Sequence, residues 1–109
     1  MDERPTFRNR KDIALQERAD GVVIRRLVQG ACLDLAEYTV PRGFTTGPSD
    51  HETHEKAGYI VSGTVEIHTN DGVQTLTAGG AYALPRGVPH QFVVVEDAVI
   101  VQVRTPAGS

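Results

Sequence analysis

The chain has a single cysteine, no tryptophan, and only three tyrosines and three phenylalanines among 109 residues. One cysteine excludes an intrachain disulfide, a thiolate-built metal centre and a paired-cysteine redox motif, and points to a reducing compartment. Cys32 reads as a small apolar packing residue. No apolar run approaches the roughly 20 residues that a membrane-spanning helix needs, so no membrane partner is expected. Basic residues are few and scattered: 11 Lys and Arg stand against 14 Asp and Glu, for a net charge of −3. The only basic cluster, Arg8-Asn9-Arg10-Lys11, is too short to make the stripe that nucleic acid requires, so no nucleic-acid partner is expected. Met1 to Pro5 lacks a basic region followed by an apolar one, so no signal peptide is expected and the location is read as cytoplasmic. There is also no phosphate-cradling glycine loop ending in Lys-Ser/Thr and no serine nucleophile elbow.

What is present is a series of short, alternating apolar segments separated by turn residues. Val22 to Val28, Leu33 to Val40, Gly58 to Val61, Thr64 to Thr69, Val73 to Leu76, Ala81 to Leu84, Gln91 to Val95 and Ala98 to Arg104 read as about eight strands. Their close spacing argues for an all-β sandwich or barrel rather than βαβ units. Gly63 marks a break, and Asn70-Asp71-Gly72 is a hairpin signal because Asp-Gly tolerates the positive φ of tight turns. The spacing predicts an N-terminal arm over 1–20, poorly ordered or pairing at a sheet edge, with a short helix over Lys11 to Arg18. A barrel over 21–105 and a frayed tail over 106–109 follow. A domain this small buries roughly two-thirds of its unfolded surface, so further burial in a homodimer would help it.

Two polar clusters stand out against this pattern. Gly79-Gly80-Ala81-Tyr82-Ala83-Leu84-Pro85-Arg86-Gly87-Val88-Pro89-His90 delivers one imidazole into the start of an apolar strand. His51-Glu52-Thr53-His54-Glu55-Lys56 forms the other. His68, in an alternating strand before the hairpin, is expected on the outer face. Tyr59, Tyr82 and Phe92 line a pocket or fill the core. Arg25 and Arg26 are adjacent on a strand, so one points in and one out. An inward Arg suits a ligand carboxylate or pairs with Asp34 or Glu37.

These residues resemble the cupin family. Gly79-x5-Pro85-x-Gly87-x2-His90 matches the second cupin motif, with Val94 where that motif ends in Asn. Gly43-x5-Ser49-x-His51-x4-Lys56-x6-Gly63 fits the spacing of the first, flanked by Ala57-Gly58-Tyr59-Ile60-Val61-Ser62-Gly63. The resemblance covers Val22 to Arg104 and implies a double-stranded β-helix, the jelly-roll barrel, commonly dimeric. In metal-binding cupins the first motif supplies two His and one acid, and the second supplies a His. Here Ser49 and Lys56 occupy ligand positions; a competing register puts Asp50, Glu52 and Lys56 there. Lysine is a donor-only cation at neutral pH and repels a divalent ion.

Two readings therefore stay open. In the first, a one-residue shift brings in Glu55, and His51, His54, Glu55 and His90 hold a divalent transition metal (Zn, Ni, Mn or Fe). Glu52 then moves the proton in an isomerase, lyase or oxygenase reaction on a small carboxylated or sugar-like substrate. In the second there is no metal: Lys56 pairs with Asp50 or Glu52, and the barrel mouth binds an anion or sugar acid without catalysis. In either case Lys56, Arg25, Tyr59, Phe92 and Gln102 are the candidate ligand contacts and a small molecule is the expected partner. The chain is also similar to the small cupins that process sugar acids. In that branch an acid sits where this chain has Gln102, and an aromatic where it has Arg104, so the resemblance supports the scaffold more than the activity.

Overall fold

A computed structural model describes residues 4–47 and 53–106. Among these residues seven strands run antiparallel: β1 (Gln16–Glu17), β2 (Val23–Gln29), β3 (Asp34–Val40), β4 (Glu55–Thr69), β5 (Gly72–Thr77), β6 (Ala81–Leu84) and β7 (His90–Thr105). They are ordered β1-β2-β3-β7-β4-β5, with β6 also pairing to β4. The jelly roll comes from the two longest strands. The first half of β4 pairs with the second half of β7 and with β6, and its second half pairs with the first half of β7 and with β5. Both strands bend where the β4–β7 register slips, between Ile60 and Val65.

The bend explains why fewer strands appear than the eight read from sequence. Gly63 does not end a strand; it lets one continue through a bulge. Its φ is +90°, and a Cβ there would lie 2.2 Å from the Asp97 carbonyl oxygen and 2.6 Å from the Ala98 Cα. Only glycine meets both demands. At the β4–β5 hairpin the positive φ falls on Gly72 alone, at 118°, while Asn70 and Asp71 stay on the ordinary side.

The helix expected over Lys11 to Arg18 is absent. A 3-10 turn covers Arg10–Asp12 and Gln16–Glu17 pairs with Val23 and Ile24 of β2. The segment is charged and has no apolar stripe to bury, and short helices are marginal without one. The arm is held instead by polar contacts. Arg10 donates to both Glu37 carboxylate oxygens at 2.9–3.2 Å, and Ile13 is buried. Cys32, expected to pack, is exposed.

Apolar residues at alternate positions of β2, β3, β4 and β7 meet between the layers. Val22, Ile60 and Val65 are essentially inaccessible, with Ile24, Val94 and Ala98 packed around them. Burying one such side chain contributes about 1.5–3 kcal/mol. This core fills one end of the barrel and leaves the other end hollow.

Candidate functional site

The hollow end is a cavity of about 340 Å³, within the range that holds a small molecule. Its walls follow from strand alternation. Going along β7, the inward residues Arg104, Gln102 and Ile100 pass from charged, through neutral polar, to apolar. On β4 the matching partners are Lys56, Gly58 and Ile60. Lys56 and Arg104 are direct cross-strand partners. On the far side of Arg104, Asp34 is its partner in β3 and accepts from Nη2 at 3.3 Å.

The next row inward is built around a missing side chain. Gly58 pairs with Gln102 on one side and with Tyr82 of β6 on the other. The Tyr82 ring lies over Gly58, where a Cβ would sit 2.2 Å from Cζ and 2.3 Å from the hydroxyl oxygen. The phenol thus reaches across β4 and donates to Gln102 Oε1 at 2.5 Å. Burial pushes the Tyr82 phenol up, with Tyr38 adding to the effect, so it remains a donor at neutral pH. Gln102 Nε2 has no hydrogen-bond partner among the described residues.

The opposite wall carries His90 and Phe92. His90 is 4% exposed. Its Nδ1 lies 3.0 Å from the Val88 carbonyl oxygen, which only accepts, so Nδ1 carries the hydrogen. In the neutral ring Nε2 is then an acceptor, without a partner among the described residues. The Phe92 ring packs edge-on against both His90 and Tyr82, at centroid distances of 5.6 and 5.3 Å. The 43–47 segment is stitched to this wall: Thr46 N donates to the Phe92 carbonyl and Thr46 Oγ1 accepts from Phe92 N, both at 3.0 Å. A third cation, Arg18, comes from the arm. It pairs with Asp20 and lies 6.0 Å from the Phe44 ring centroid.

Of the residues singled out from sequence, Lys56, His90, Phe92 and Gln102 share this cavity. His51 and Glu52 lie outside the described residues, as do Ser49 and Asp50. Strand parity puts Lys56 inward; its neighbour Glu55 is exposed and does not line the cavity. His54 is half-buried beside Thr53, with Oγ1 3.4 Å from Nδ1, and is not part of the lining. Tyr59 is 51% exposed on the outer face of β4. Neither Arg25 nor Arg26 lines the cavity. Arg25 donates to the carbonyls of Ile13 (2.6 Å) and Arg10 (3.2 Å), tying the arm down, and Arg26 donates to Gln16. His68 pairs with Glu66 at 2.9 Å, away from the cavity.

Sequence reading did not single out Arg18 or Arg104 as ligand contacts, whereas Tyr82, read as lining a pocket or filling the core, lines the cavity. Arg104 was accessible by period two, being two residues from Gln102 on one strand. Arg18 left no such signal, because only the arm's path brings it to the barrel.

The donor chemistry bears on a metal. Among the described residues no group of three or more His, Cys, Asp and Glu side chains comes together. The cavity lining holds three cations, Lys56, Arg104 and Arg18, and no carboxylate. This described set, with His90 as its one imidazole, falls short of the carboxylate and imidazole donors a divalent transition ion takes, and His51 and Glu52 lie outside the described residues.

Comparison with known proteins agrees with the architecture. The family model described as the cupin domain matches residues 36–103. KdgF from Halomonas sp. is 23% identical, with a TM-score of 0.85 over 94% of this chain and 96% of that one. An RmlC-like cupin from Shewanella frigidimarina is 20% identical, with a TM-score of 0.85 over 98% and 96%. Ectoine synthase from P. lautus is 25% identical, with a TM-score of 0.73 over 88% and 70%. No curated protein matches the chain.

Proposed function

The chain belongs to the cupin domain family, and on that premise we propose that its barrel binds a small, sugar-like carboxylate. Lys56 and Arg104 hold the carboxylate at the outer row, and Gln102, Phe92 and His90 line the space for the rest of the ligand. The observation that carries this reading is the lining: among the described residues, three cations and no carboxylate around a small-molecule-sized cavity. Lys56 and Arg104 face each other across the β4–β7 ladder, so one carboxylate at the outer row is within reach of both. Asp34 orients the Arg104 guanidinium from behind, and a planar guanidinium suits a carboxylate. Phe92 offers an apolar flank and His90 Nε2 an acceptor for a ligand hydroxyl. No catalytic step is assigned to these groups, and none is routed through a metal.

The test is calorimetric titration with sodium gluconate before and after treatment with a chelator, alongside elemental analysis. Expected are binding that survives chelation, weakens with added salt, and drops at least about tenfold in Lys56→Met, the loss of one charge-assisted contact. Near-stoichiometric transition metal, with binding abolished by the chelator, would overturn this in favour of a metal-dependent cupin enzyme.

The proposal includes a homodimer in a reducing cytoplasm, where the exposed thiol of Cys32 stays reduced. Val99, Val101 and Val103 alternate with the inward residues of β7, and Tyr59 and Val61 are exposed on the neighbouring β4. An outer row of valines on a strand whose inner side already faces the barrel has the pattern of a face that is covered as well. Light scattering at micromolar concentration should give twice the chain mass of 11.8 kDa; a monomer at every concentration refutes the dimer.

A further inference from the structure

Resting on the anion-binding reading, we infer that Gln102, fixed by Tyr82 across the gap at Gly58, is the specificity determinant of the cavity. It distinguishes a hydroxylated acid from a plain one. The inference comes from counting hydrogen bonds. A glutamine amide has one accepting oxygen and two donating hydrogens. Tyr82 occupies the oxygen at 2.5 Å. The two hydrogens on Nε2 then have no partner among the described residues, although the side chain lines the cavity.

Gln102 stands two residues from Arg104 on the same face of β7, roughly 6–7 Å along the strand. A ligand whose carboxylate lies at Lys56 and Arg104 carries its next few atoms past Gln102. A hydroxyl oxygen there accepts from Nε2. A bare methylene strips water from the amide and returns nothing, and a site built around a hydrogen bond rejects such analogues strongly. Gly58 is a positioning residue in this scheme. It has no left-handed φ to satisfy; its role is to leave room for the Tyr82 ring. Phe92 braces the same ring from the other wall, at 5.3 Å.

Gluconate and hexanoate, six-carbon acids with and without hydroxyls, provide the test. Calorimetric titration of the wild type should favour gluconate by at least about tenfold. Gln102→Leu should lose that preference by weakening gluconate while leaving hexanoate equal or tighter, a split that general damage to the fold would not produce. Tyr82→Phe, which removes only the hydroxyl anchoring the amide, should lower the preference about three- to tenfold. Gly58→Ala, by displacing the ring, should reproduce Tyr82→Phe; should it fail to fold, the other two variants decide alone. Equal preference in wild type and Gln102→Leu overturns the inference while leaving anion binding intact. Failure of the wild type to bind either acid overturns the anion-binding reading itself, and this inference with it.

Discussion

The two halves of β4 obey one alternation rule and end in opposite chemistry. In the second half, Val65 and Ile67 point inward and are 0% and 4% exposed, closed off by Val94 of β7. In the first half the inward residues are Lys56, Gly58 and Ile60, facing Arg104, Gln102 and Ile100. Each row toward the mouth replaces an apolar pair by a polar or empty one. Stability is concentrated where the inward positions are filled, and recognition where they are charged or vacant. Two glycines on this strand mark the division. Gly63 is required by its φ and by backbone packed against it on the far side of the bend, whereas Gly58 is required by the side chain of Tyr82.

The sharpest way to break this contrast is to compare Ile60→Ala with Lys56→Met. Ile60 is 0% exposed, and truncating it leaves a cavity costing about 2–5 kcal/mol, seen as a large fall in the denaturation midpoint. Lys56→Met should change ligand-free stability by no more than about 1 kcal/mol, as expected for a half-buried side chain outside the packed core. Equal losses in the two would mean that the mouth is part of the stability core after all.

A smaller effect belongs to the outer face. Arg10, by hydrogen bonding, and Arg25, by charge, hold the Glu37 carboxyl below its usual value, against the opposing effect of burial. A carboxyl lowered in the folded state contributes stability that is complete above the unfolded value near 4.5. That contribution is lost as the pH falls through the lower folded value. Glu37→Gln should therefore melt earlier than wild type at pH 7, by less than Ile60→Ala, and the gap should close at strongly acidic pH. A gap independent of pH would show that the ion pair is not what Glu37 contributes. Gluconate binding should be unchanged, since Glu37 does not line the cavity.

Much of the architecture was legible from residue order. Period-two alternation and turn residues gave the all-β class, and the Gly79-to-His90 run pointed to the buried imidazole. Where the reading failed, the missing information was non-local. The strand break expected at Gly63 became a bulge because β7 pairs across it. The helix expected in the arm gave way to an edge strand because its stability would have had to come from an apolar face it lacks. Arg25, read either as a ligand-carboxylate partner or as paired with Asp34 or Glu37, takes the second course: its Nε lies 3.6 Å from Glu37, and it donates to arm carbonyls that lie near it only after folding.

Sequence by itself determined the alphabet of this protein: β-branched residues at alternate positions, glycines where the chain must turn, and a histidine delivered by a proline-rich turn. Those are local properties, set by side-chain shape and backbone dihedrals. Only the tertiary structure decided that Lys56 rather than Glu55 faces the interior, and that Arg104 stands beside it. It also decided that Tyr82 crosses an empty position to hold Gln102. A one-residue change of strand register inverts every side chain, and register is fixed by pairing with distant strands rather than by the segment's own residues.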